Sequence, residues 1–155
     1  MKILFVCTGN TCRSPMAEAI FNYFNTNTNH KAYSAGISAI TGECTSKNST
    51  IVIKENLGLD ISKRKSLTLN KEILSESDLI LTMTYNHKLY LHNYYPQFAS
   101  KIYTLNEYIG IHSDVMDPFG GDLHIYDLTF KNLKESISFL LKKLEKDNSI
   151  TKGEL

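Results

Sequence analysis

Short apolar runs alternate along the chain with apolar stripes of helical period. Four runs have the length of buried strands, and they occupy residues 2–6, 31–34, 78–83 and 101–105. Apolar residues recur at helical spacing in five further segments, at residues 15–24, 46–57, 71–76, 84–94 and 130–144. The pattern therefore predicts strands separated by helices, with a long helix closing the chain.

Residues typical of helix ends mark several of these boundaries. Pro15 stands in a first-turn position, where its missing amide proton is not needed. Gly58 is expected to end the second helix, and Thr84 is expected to cap the helix that follows the third strand. Pro96 cannot continue that helix, so we expect the helix to end just before it.

Parallel strands joined by crossover helices form a sheet that helices cover on both faces. We therefore predict an α/β fold, a three-layer sandwich with a central four-stranded parallel sheet. It is expected to form a single domain over residues 1–155, with a tail that frays from about residue 146. Ligands of such folds bind at the carboxyl ends of the strands. The polar stretch CTGNTCRSP, residues 7–15, joins the first strand to the first helix and is the expected site.

Charge and composition narrow the possible partners. The chain has 155 residues, 42% of them hydrophobic, and 17 Lys and Arg residues balance 16 Asp and Glu residues. No long run of one charge occurs, which argues against nucleic acid and against a polybasic membrane patch. The basic turn of Lys63, Arg64 and Lys65 is interpreted as solvated surface.

Cysteine content and the N-terminal residues suggest the compartment. Met1 and Lys2 precede only four strongly apolar residues, too few for a signal peptide, and no later segment has the length of a membrane span. Three cysteines, an odd number, argue against a disulfide framework. We therefore expect a cytoplasmic protein with reduced thiols.

The loop from Cys7 to Arg13 has the features of an anion site. Because it leads into a helix, it directs successive backbone N–H groups and the positive end of the helix dipole into one concavity. Arg13 offers a planar fork for two oxygens, which suits a phosphate monoester or a phosphoramidate. The same field stabilises a thiolate at Cys7, the nucleophilic form of the side chain.

The other residues of the loop receive supporting roles. Gly9 is expected to relieve a backbone conformation that a side chain would hinder, and Asn10 to tolerate left-handed geometry while its amide holds the loop together. Ser14 is expected to hydrogen-bond the Cys7 sulfur and help it leave. Cys12 is either a small buried filler or a redox guard that traps oxidised Cys7 as a disulfide.

Two plainer interpretations of Cys7 compete with a phosphate loop. It could be a buried thiol at a strand end, or it could bind zinc together with Cys12. The zinc site is disfavoured because no histidine lies nearby and the spacing is wrong. The preceding strand, the following helix and the Gly and Asn within the loop favour phosphate binding. His87 and the other histidines show no metal or triad spacing, and Asp114 is expected to be an exposed loop acid.

A second candidate segment follows the last predicted strand. Pro118 restricts Asp117 to extended geometry, which can direct its carboxylate over the pocket. Asp117 could then protonate the leaving group and later accept a proton from the attacking water. Phe119 would form a wall, while Gly120 and Gly121 would let the loop approach the substrate. The alternative is an Asp-Pro turn with solvated carboxylates.

Residues 6–15 (VCTGNTCRSP), 34–36 (SAG) and Asp117 with Pro118 resemble the low-molecular-weight protein tyrosine phosphatase family over nearly the whole chain. The resemblance implies a four-stranded parallel sheet between helices, a cysteinyl-phosphate intermediate and no metal or other cofactor. It implies Cys7 as the nucleophile, Asp117 as the acid and base, and Asn10 and Ser14 as supports of the loop. Phosphate binding falls, by the same resemblance, to Arg13 and to the backbone of Thr8, Gly9, Asn10, Thr11, Cys12 and Arg13.

Two positions point to one branch of that family. Tyrosine-directed members tend to carry an aliphatic residue in place of Thr11 and two aromatic residues in place of Phe119 and Gly120. This chain instead resembles the bacterial protein arginine phosphatases, also in residues 81–88, 103–108 and 117–121. A polar guanidinium needs hydrogen-bond acceptors, which Thr11 and Asp117 offer, whereas a phenyl ring would favour an apolar contact at position 11.

The sequence therefore predicts a monomeric protein phosphatase that hydrolyses phosphoarginine in proteins, and the resemblance implies that it opposes a protein arginine kinase. Hydrolysis of phosphotyrosine is the alternative. An arsenate reductase is less favoured because it passes a disulfide to further cysteines, and here only Cys44 follows the loop. A non-catalytic phosphate-binding module is also less favoured, since simple binding needs neither Cys7 nor Asp117.

Overall fold

The computed structural model describes residues 1–152, with side chains up to residue 149. Within them, the centre of the fold is a parallel sheet of four strands in the order β2-β1-β3-β4. The strands are β1 (Lys2–Cys7), β2 (Lys31–Gly36), β3 (Leu79–Thr82) and β4 (Ile102–Thr104). Each lies within two residues of its predicted limits.

Helices connect the strands and follow the last one. In chain order they are α1 (Arg13–Phe24), α2 (Lys47–Leu57), α3 (Lys71–Glu76), α4 (Tyr85–Tyr94), a 3₁₀-helix (Pro96–Lys101), α5 (Leu105–Tyr108) and α6 (Leu123–Lys152). In the described part of the chain, no helix has both the length and the apolarity needed to cross a membrane.

Alternate residues of β1 contribute to two hydrophobic cores. Ile3 and Phe5 pack with side chains of α1, α2 and α6, whereas Leu4 and Val6 pack with side chains of α3 and α4. Neighbouring residues of a strand point to opposite faces, so one strand can serve both layers. Full burial of each such side chain contributes about 1.5–3 kcal/mol. The predicted three-layer α/β sandwich with a central four-stranded parallel sheet is confirmed.

The predicted cap at Thr84 and the predicted helix end at Gly58 are confirmed, and Ser46 additionally caps the start of α2. Ser46 Oγ accepts a hydrogen bond from the Ser49 amide at 3.3 Å, and Thr84 Oγ1 accepts one from the His87 amide at 3.2 Å. Gly58 follows α2 with φ 70°, the left-handed conformation that glycine adopts without strain. These short-range signals fix the starts of α2 and α4 and the end of α2.

Two short elements differ from the sequence prediction. Pro96–Lys101 forms a 3₁₀-helix, and the run predicted as a strand over 101–105 is a three-residue strand followed at once by α5. Thr104 Oγ1 accepts from the Glu107 amide at 3.0 Å, while the Glu107 carboxylate accepts from the Thr104 amide at 3.1 Å. This capping box starts a helix where the apolar pattern alone continues a strand.

Helix α6 is longer than its apolar stripe predicts. It begins at Leu123 instead of near residue 130, because Asp122 Oδ1 accepts from the Ile125 amide at 3.1 Å and caps an extra turn. The helix continues past residue 146, and the fraying of this end stays a prediction, as does the single-domain organisation of residues 1–155. Residues 153–155 lie outside the described part of the chain.

Gly36, the last residue of β2, allows this strand to press against the loop that follows β1. A Cβ at Gly36 would lie 2.6 Å from the Thr8 carbonyl oxygen and 2.9 Å from the Asn10 amide nitrogen. The Gly36 amide donates to the Leu67 carbonyl at 2.9 Å, and its own carbonyl accepts from the Leu69 amide at 2.9 Å. Only glycine permits this close approach, which ties the loop to residues far along the chain.

Candidate active site

The loop of residues 7–13 lies at the carboxyl end of β1, directly before α1. With residues 113–121 it forms a cleft of about 350 Å³. The cleft is lined by Cys7, Thr8, Gly9, Asn10, Thr11, Cys12, Arg13, Glu43, Asp117 and Phe119. The structure thus brings together both segments that the sequence singled out, and it adds Glu43.

Arg13 connects the two segments. Its side chain is only 6% exposed, Nη1 donates to the Val115 carbonyl at 3.1 Å, and Nη2 lies 3.2 Å from Asp117 Oδ2. The Val115 amide in turn donates to the Met83 carbonyl at 2.9 Å, which anchors the second segment to the end of β3. Asp117 is half exposed, and its Oδ1 accepts from the Phe119 amide at 3.1 Å. A guanidinium and a carboxylate therefore face the cleft in fixed positions.

Cys7 is buried at the floor of the cleft, within reach of two donors. Its sulfur lies 2.8 Å from Ser14 Oγ and 3.3 Å from the Asn10 amide nitrogen. Asn10 Nδ2 donates to Ser14 Oγ at 2.8 Å, so the hydroxyl proton of Ser14 is available for the sulfur. Two groups of the loop can therefore donate hydrogen bonds to the Cys7 sulfur.

Asn10 holds the backbone conformation of the loop. It has φ 56°, in the left-handed region that Asn enters more easily than most residues. Its Oδ1 accepts from the Leu67 amide at 2.9 Å and from Arg64 Nη2 at 3.0 Å, and its Nδ2 donates to Ser34 Oγ at 3.0 Å. The buried Asn10 amide thus has partners on both its oxygen and its nitrogen, from residues 64–67, from β2 and, through Ser14, from α1.

The expectation for Gly9 is wrong. Its φ does not lie in the positive range, and a Cβ added there would meet only Thr11 Oγ1 at 3.7 Å, an ordinary contact. The loop places its unusual backbone conformation at Asn10 instead. The glycine pair after Pro118 also has a local explanation, since Gly120 has φ 78° and a Cβ at Gly121 would clash with Ile125 at 2.9 Å.

Arg64 is not a solvated surface residue, so the interpretation of the basic turn is wrong at this position. The Arg64 side chain is 17% exposed and pairs with the Glu18 carboxylate at 3.1 Å. It also donates to the Asn10 carbonyl at 3.4 Å, to Asn10 Oδ1, and to Ser34 Oγ. The Arg64 guanidinium therefore supports the phosphate loop through its hydrogen bonds to Asn10. Three consecutive basic residues in the sequence gave no signal of which one is covered.

A larger cavity of about 550 Å³ lies beside the same ion pair, between α1 and residues 59–64. Neither a cysteine nor an anion-binding loop lines it. The smaller cleft at residues 7–13 carries the nucleophile, the guanidinium and the carboxylate. Volume therefore does not identify the chemically equipped site in this molecule.

Cys12 points away from the floor of the cleft toward α2 and α6. Its sulfur lies 3.4 Å from Ser46 Oγ and 3.3 Å from the Tyr126 hydroxyl. Burial, together with the hydrogen bond to Cys12, raises the pKa of Tyr126 to about 12. Cys7 and Cys12 are both free thiols, and the roles of filler and redox guard both stay open for Cys12.

His87 is a residue to which the sequence gave no role. Its Nε2 lies 2.8 Å from Thr8 Oγ1, so α4 contacts the phosphate loop through this pair. Burial and the nearby Arg13 guanidinium lower the pKa of His87 to about 4, against the opposing effect of Asp114 and Asp117. The imidazole is therefore neutral at physiological pH. Its position just after the carboxyl end of β3 was the available signal.

Asp114 is exposed, as expected, and also makes a structural contact. Its Oδ1 accepts from the Tyr85 amide at 2.8 Å, at the first turn of α4. In the described residues, no cluster of three or more His, Cys, Asp or Glu side chains is arranged to hold a metal ion. The polar groups of the cleft are instead those of an anion site, namely a guanidinium and backbone amides.

A parallel α/β sheet with a cysteine in an anion-binding loop after its first strand, facing an arginine and a carboxylate, defines a cysteine-dependent phosphatase. The family model for low molecular weight phosphotyrosine protein phosphatases matches residues 2–150. The chain belongs to this family.

Curated relatives of two kinds are similar to the chain. The protein-arginine-phosphatase of Bacillus subtilis (strain 168) is 40% identical over 151 residues, which cover 95% of this chain and 99% of the relative. The low molecular weight protein-tyrosine-phosphatase PtpB of Staphylococcus haemolyticus (strain JCSC1435) is 41% identical over 144 residues, 93% of this chain and 97% of the relative.

A solved structure adds a chemical detail of a relative. It is the YwlE arginine phosphatase as a C7S mutant with a phosphorylated active-site serine. It has 38% sequence identity and a TM-score of 0.89, and the match covers 95% of this chain and 97% of the other. In that relative, the side chain that replaces the cysteine carries the phosphoryl group.

Proposed function

We propose that the protein hydrolyses phosphoarginine in proteins through a cysteinyl-phosphate intermediate. The observation that carries the proposal is the position of the Cys7 sulfur, 2.8 Å from Ser14 Oγ and in a cleft with Arg13 and Asp117. The protein-arginine-phosphatase relatives and the phosphorylated serine of the YwlE variant support the same chemistry.

In the first step, the Cys7 thiolate attacks phosphorus and the bond from phosphorus to the guanidinium nitrogen breaks. Arg13 and the backbone amides of residues 8–13 hold the phosphoryl oxygens, whose charge grows in the transition state. Asp117 in its acid form donates a proton to the leaving nitrogen, and the arginine side chain departs as a guanidinium cation.

In the second step, water attacks the phosphorus of the cysteinyl phosphate. Asp117, now a carboxylate, accepts the proton of this water, and the sulfur leaves as a thiolate. Ser14 donates a hydrogen bond to the departing sulfur, and Asn10 holds Ser14 in place. Inorganic phosphate is released, and Asp117 gives the proton taken from water to solvent and forms its ion pair with Arg13 again.

The ion pair between Arg13 and Asp117 belongs to the free enzyme. A phosphoryl group entering the cleft offers Arg13 a dianionic partner in place of the Asp117 carboxylate. Asp117, released from the ion pair, takes up a proton from solvent and turns toward the leaving group. Phosphate binding and placement of the acid are thereby coupled through one guanidinium.

Thr11 supports the choice of phosphoarginine. It lines the cleft, and its hydroxyl offers a hydrogen-bond acceptor near the leaving group. Phe119, 82% exposed at the rim, offers a single apolar face. A phosphotyrosine ring would find one aromatic wall and a polar residue at position 11, a weaker match than the guanidinium finds.

The test compares kcat/KM for one peptide carrying phosphoarginine and a matched peptide carrying phosphotyrosine. We expect the parent protein to prefer phosphoarginine by about tenfold or more, and Thr11→Ile to weaken or invert the preference. Cys7→Ser is the control that should lack turnover on either peptide. A parent that prefers phosphotyrosine would overturn the proposal.

Phosphotyrosine hydrolysis is the second candidate function, favoured by the similarity to PtpB. The proposal further assigns the enzyme to the cytoplasm as a monomer that acts on phosphorylated proteins and not on nucleic acid or membranes. Its monomeric state can be checked by sedimentation or light scattering at assay concentrations.

A further inference from the structure

Glu43 places an acidic group in the wall of an anion-binding cleft. It lines the cleft together with the phosphate loop, Asp117 and Phe119, although it comes from the connection between β2 and α2. Nothing in the sequence pattern points to a role for Glu43, and none of the catalytic steps requires it. A second carboxylate near a dianionic phosphoryl group calls for a physical reason.

The backbone holds this position firmly. The Glu43 carbonyl accepts from the Ser66 amide at 2.7 Å, and the next residue, Cys44, forms an antiparallel bridge with Lys65. Further along, the Ser46 amide donates to the Thr11 carbonyl at 2.9 Å. The connection is thus fixed to the phosphate loop and to the segment that carries Arg64, and Glu43 stays at the rim.

The Glu43 carboxylate has no partner among the side chains of residues 1–149. Glu43 is exposed, and within residues 1–149 its side chain makes neither a hydrogen bond nor an ion pair, whereas Asp117 has both Arg13 and the Phe119 amide. An unpaired negative charge at this rim repels any substrate that is only anionic. It attracts a substrate that carries a positive charge next to its phosphoryl group.

We propose that Glu43 is a specificity residue that pairs with the guanidinium of a phosphorylated arginine and selects against phosphotyrosine. This inference rests on the proposed function. The substrate class it names is a zwitterion, with a cationic guanidinium bonded directly to a phosphoryl group. Arg13 and the loop amides bind the anionic part, while Glu43 accepts from guanidinium nitrogens that Asp117 does not contact.

The experiment measures kcat and KM of the parent, Glu43→Gln, Glu43→Lys and Glu43→Asp on matched phosphoarginine and phosphotyrosine peptides. Glu55→Gln is the control, an exposed acid on α2 outside the cleft. We expect Glu43→Gln to lower kcat/KM on phosphoarginine about fivefold, chiefly through KM, and to leave phosphotyrosine unchanged or improved. Glu43→Lys should amplify both changes, and Glu43→Asp should retain most of the preference.

Ionic strength provides a second readout. The difference between the parent and Glu43→Lys on phosphoarginine should shrink as salt is raised, because an exposed charge is screened. Equal losses on both peptides, or an unchanged substrate ratio in Glu43→Gln, would overturn the role of Glu43 alone. A parent that prefers phosphotyrosine would overturn the proposed function first. Thermal unfolding of each variant, expected to match the parent, excludes a folding defect.

Discussion

Replacing Arg64 by Met tests whether the phosphate loop depends on the guanidinium that donates hydrogen bonds to Asn10. Met retains much of the length and apolar volume of the side chain and removes its donors. The substitution deletes the ion pair to Glu18 at 3.1 Å and the hydrogen bonds to the Asn10 carbonyl, to Asn10 Oδ1 and to Ser34. It leaves the Glu18 carboxylate three-quarters buried without its cation.

The size of the effect follows from burial. Exposed ion pairs contribute about 0.2–1 kcal/mol, whereas removing one partner of a fully buried pair costs about 3–5 kcal/mol. The Arg64 and Glu18 side chains are 17% and 25% exposed, which is between these cases but nearer the buried one. We therefore expect Arg64→Met to lower the free energy of unfolding by about 2–3 kcal/mol. In a chain of this length that corresponds to a fall in Tm of about 4–12 °C.

Urea unfolding followed by circular dichroism measures the effect for the parent, Arg64→Met, Glu18→Gln and the double variant. The two single losses should exceed the loss of the double variant when added together, since both remove the same pair. Arg64→Lys is the matched control, which keeps the charge but cannot make the same set of contacts. A loss below about 0.5 kcal/mol with additive single variants would refute the reasoning and return Arg64 to the solvated surface.

Three further predictions concern the cleft. Asp117→Asn should slow the first step most for substrates with poor leaving groups, and an equal loss across a leaving-group series would contradict its acid role. Peroxide should inactivate the enzyme reversibly if Cys12 guards Cys7, and a Cys12→Ser variant that recovers as fully as the parent would remove that assignment. The pKa of His87 is lowered from 6.5 to about 4 in the folded protein. Between these two pH values the unfolded chain binds more protons than the folded chain, so the free energy of unfolding falls as the pH drops from about 6.5 to about 4. His87→Asn should flatten this fall, on the order of 1–2 kcal/mol after allowance for partial exposure, and parallel pH profiles in urea unfolding would rule the assignment out.

The parts of the fold that were predictable depend on neighbours in sequence. The strands follow from short apolar runs, and the ends of α2 and α4 follow from Ser46, Gly58 and Thr84, whose cap contacts are local. The start of α5 was also encoded locally, in Thr104 and Glu107. The apolar pattern of residues 101–105 outweighed that signal in the prediction.

The catalytic segments were predictable because chemistry and topology agree there. Cys7, Arg13 and Asp117 together supply a nucleophile, an anion-binding group and an acid, and each follows a predicted strand, where parallel sheets place their sites. Arg64 and Glu43 were not predictable, since both reach the site through backbone contacts made far along the chain. The sequence alone does not distinguish a charged residue that packs against the loop, as Arg64 does, from one that stays exposed at its rim, as Glu43 does.

The close packing of Gly36 against the loop has a consequence for protein engineering. The stretch CTGNTCRSP looks portable, since nine consecutive residues hold the nucleophile and the phosphate cradle. Its conformation, however, depends on the close approach of Gly36 on one side and on hydrogen bonds from Leu67 and Arg64 to Asn10 on the other. A graft onto another strand and helix would transfer the loop sequence but not the contacts that hold its conformation. The smallest transplantable unit is the loop together with the end of β2 and the turn of residues 64–67.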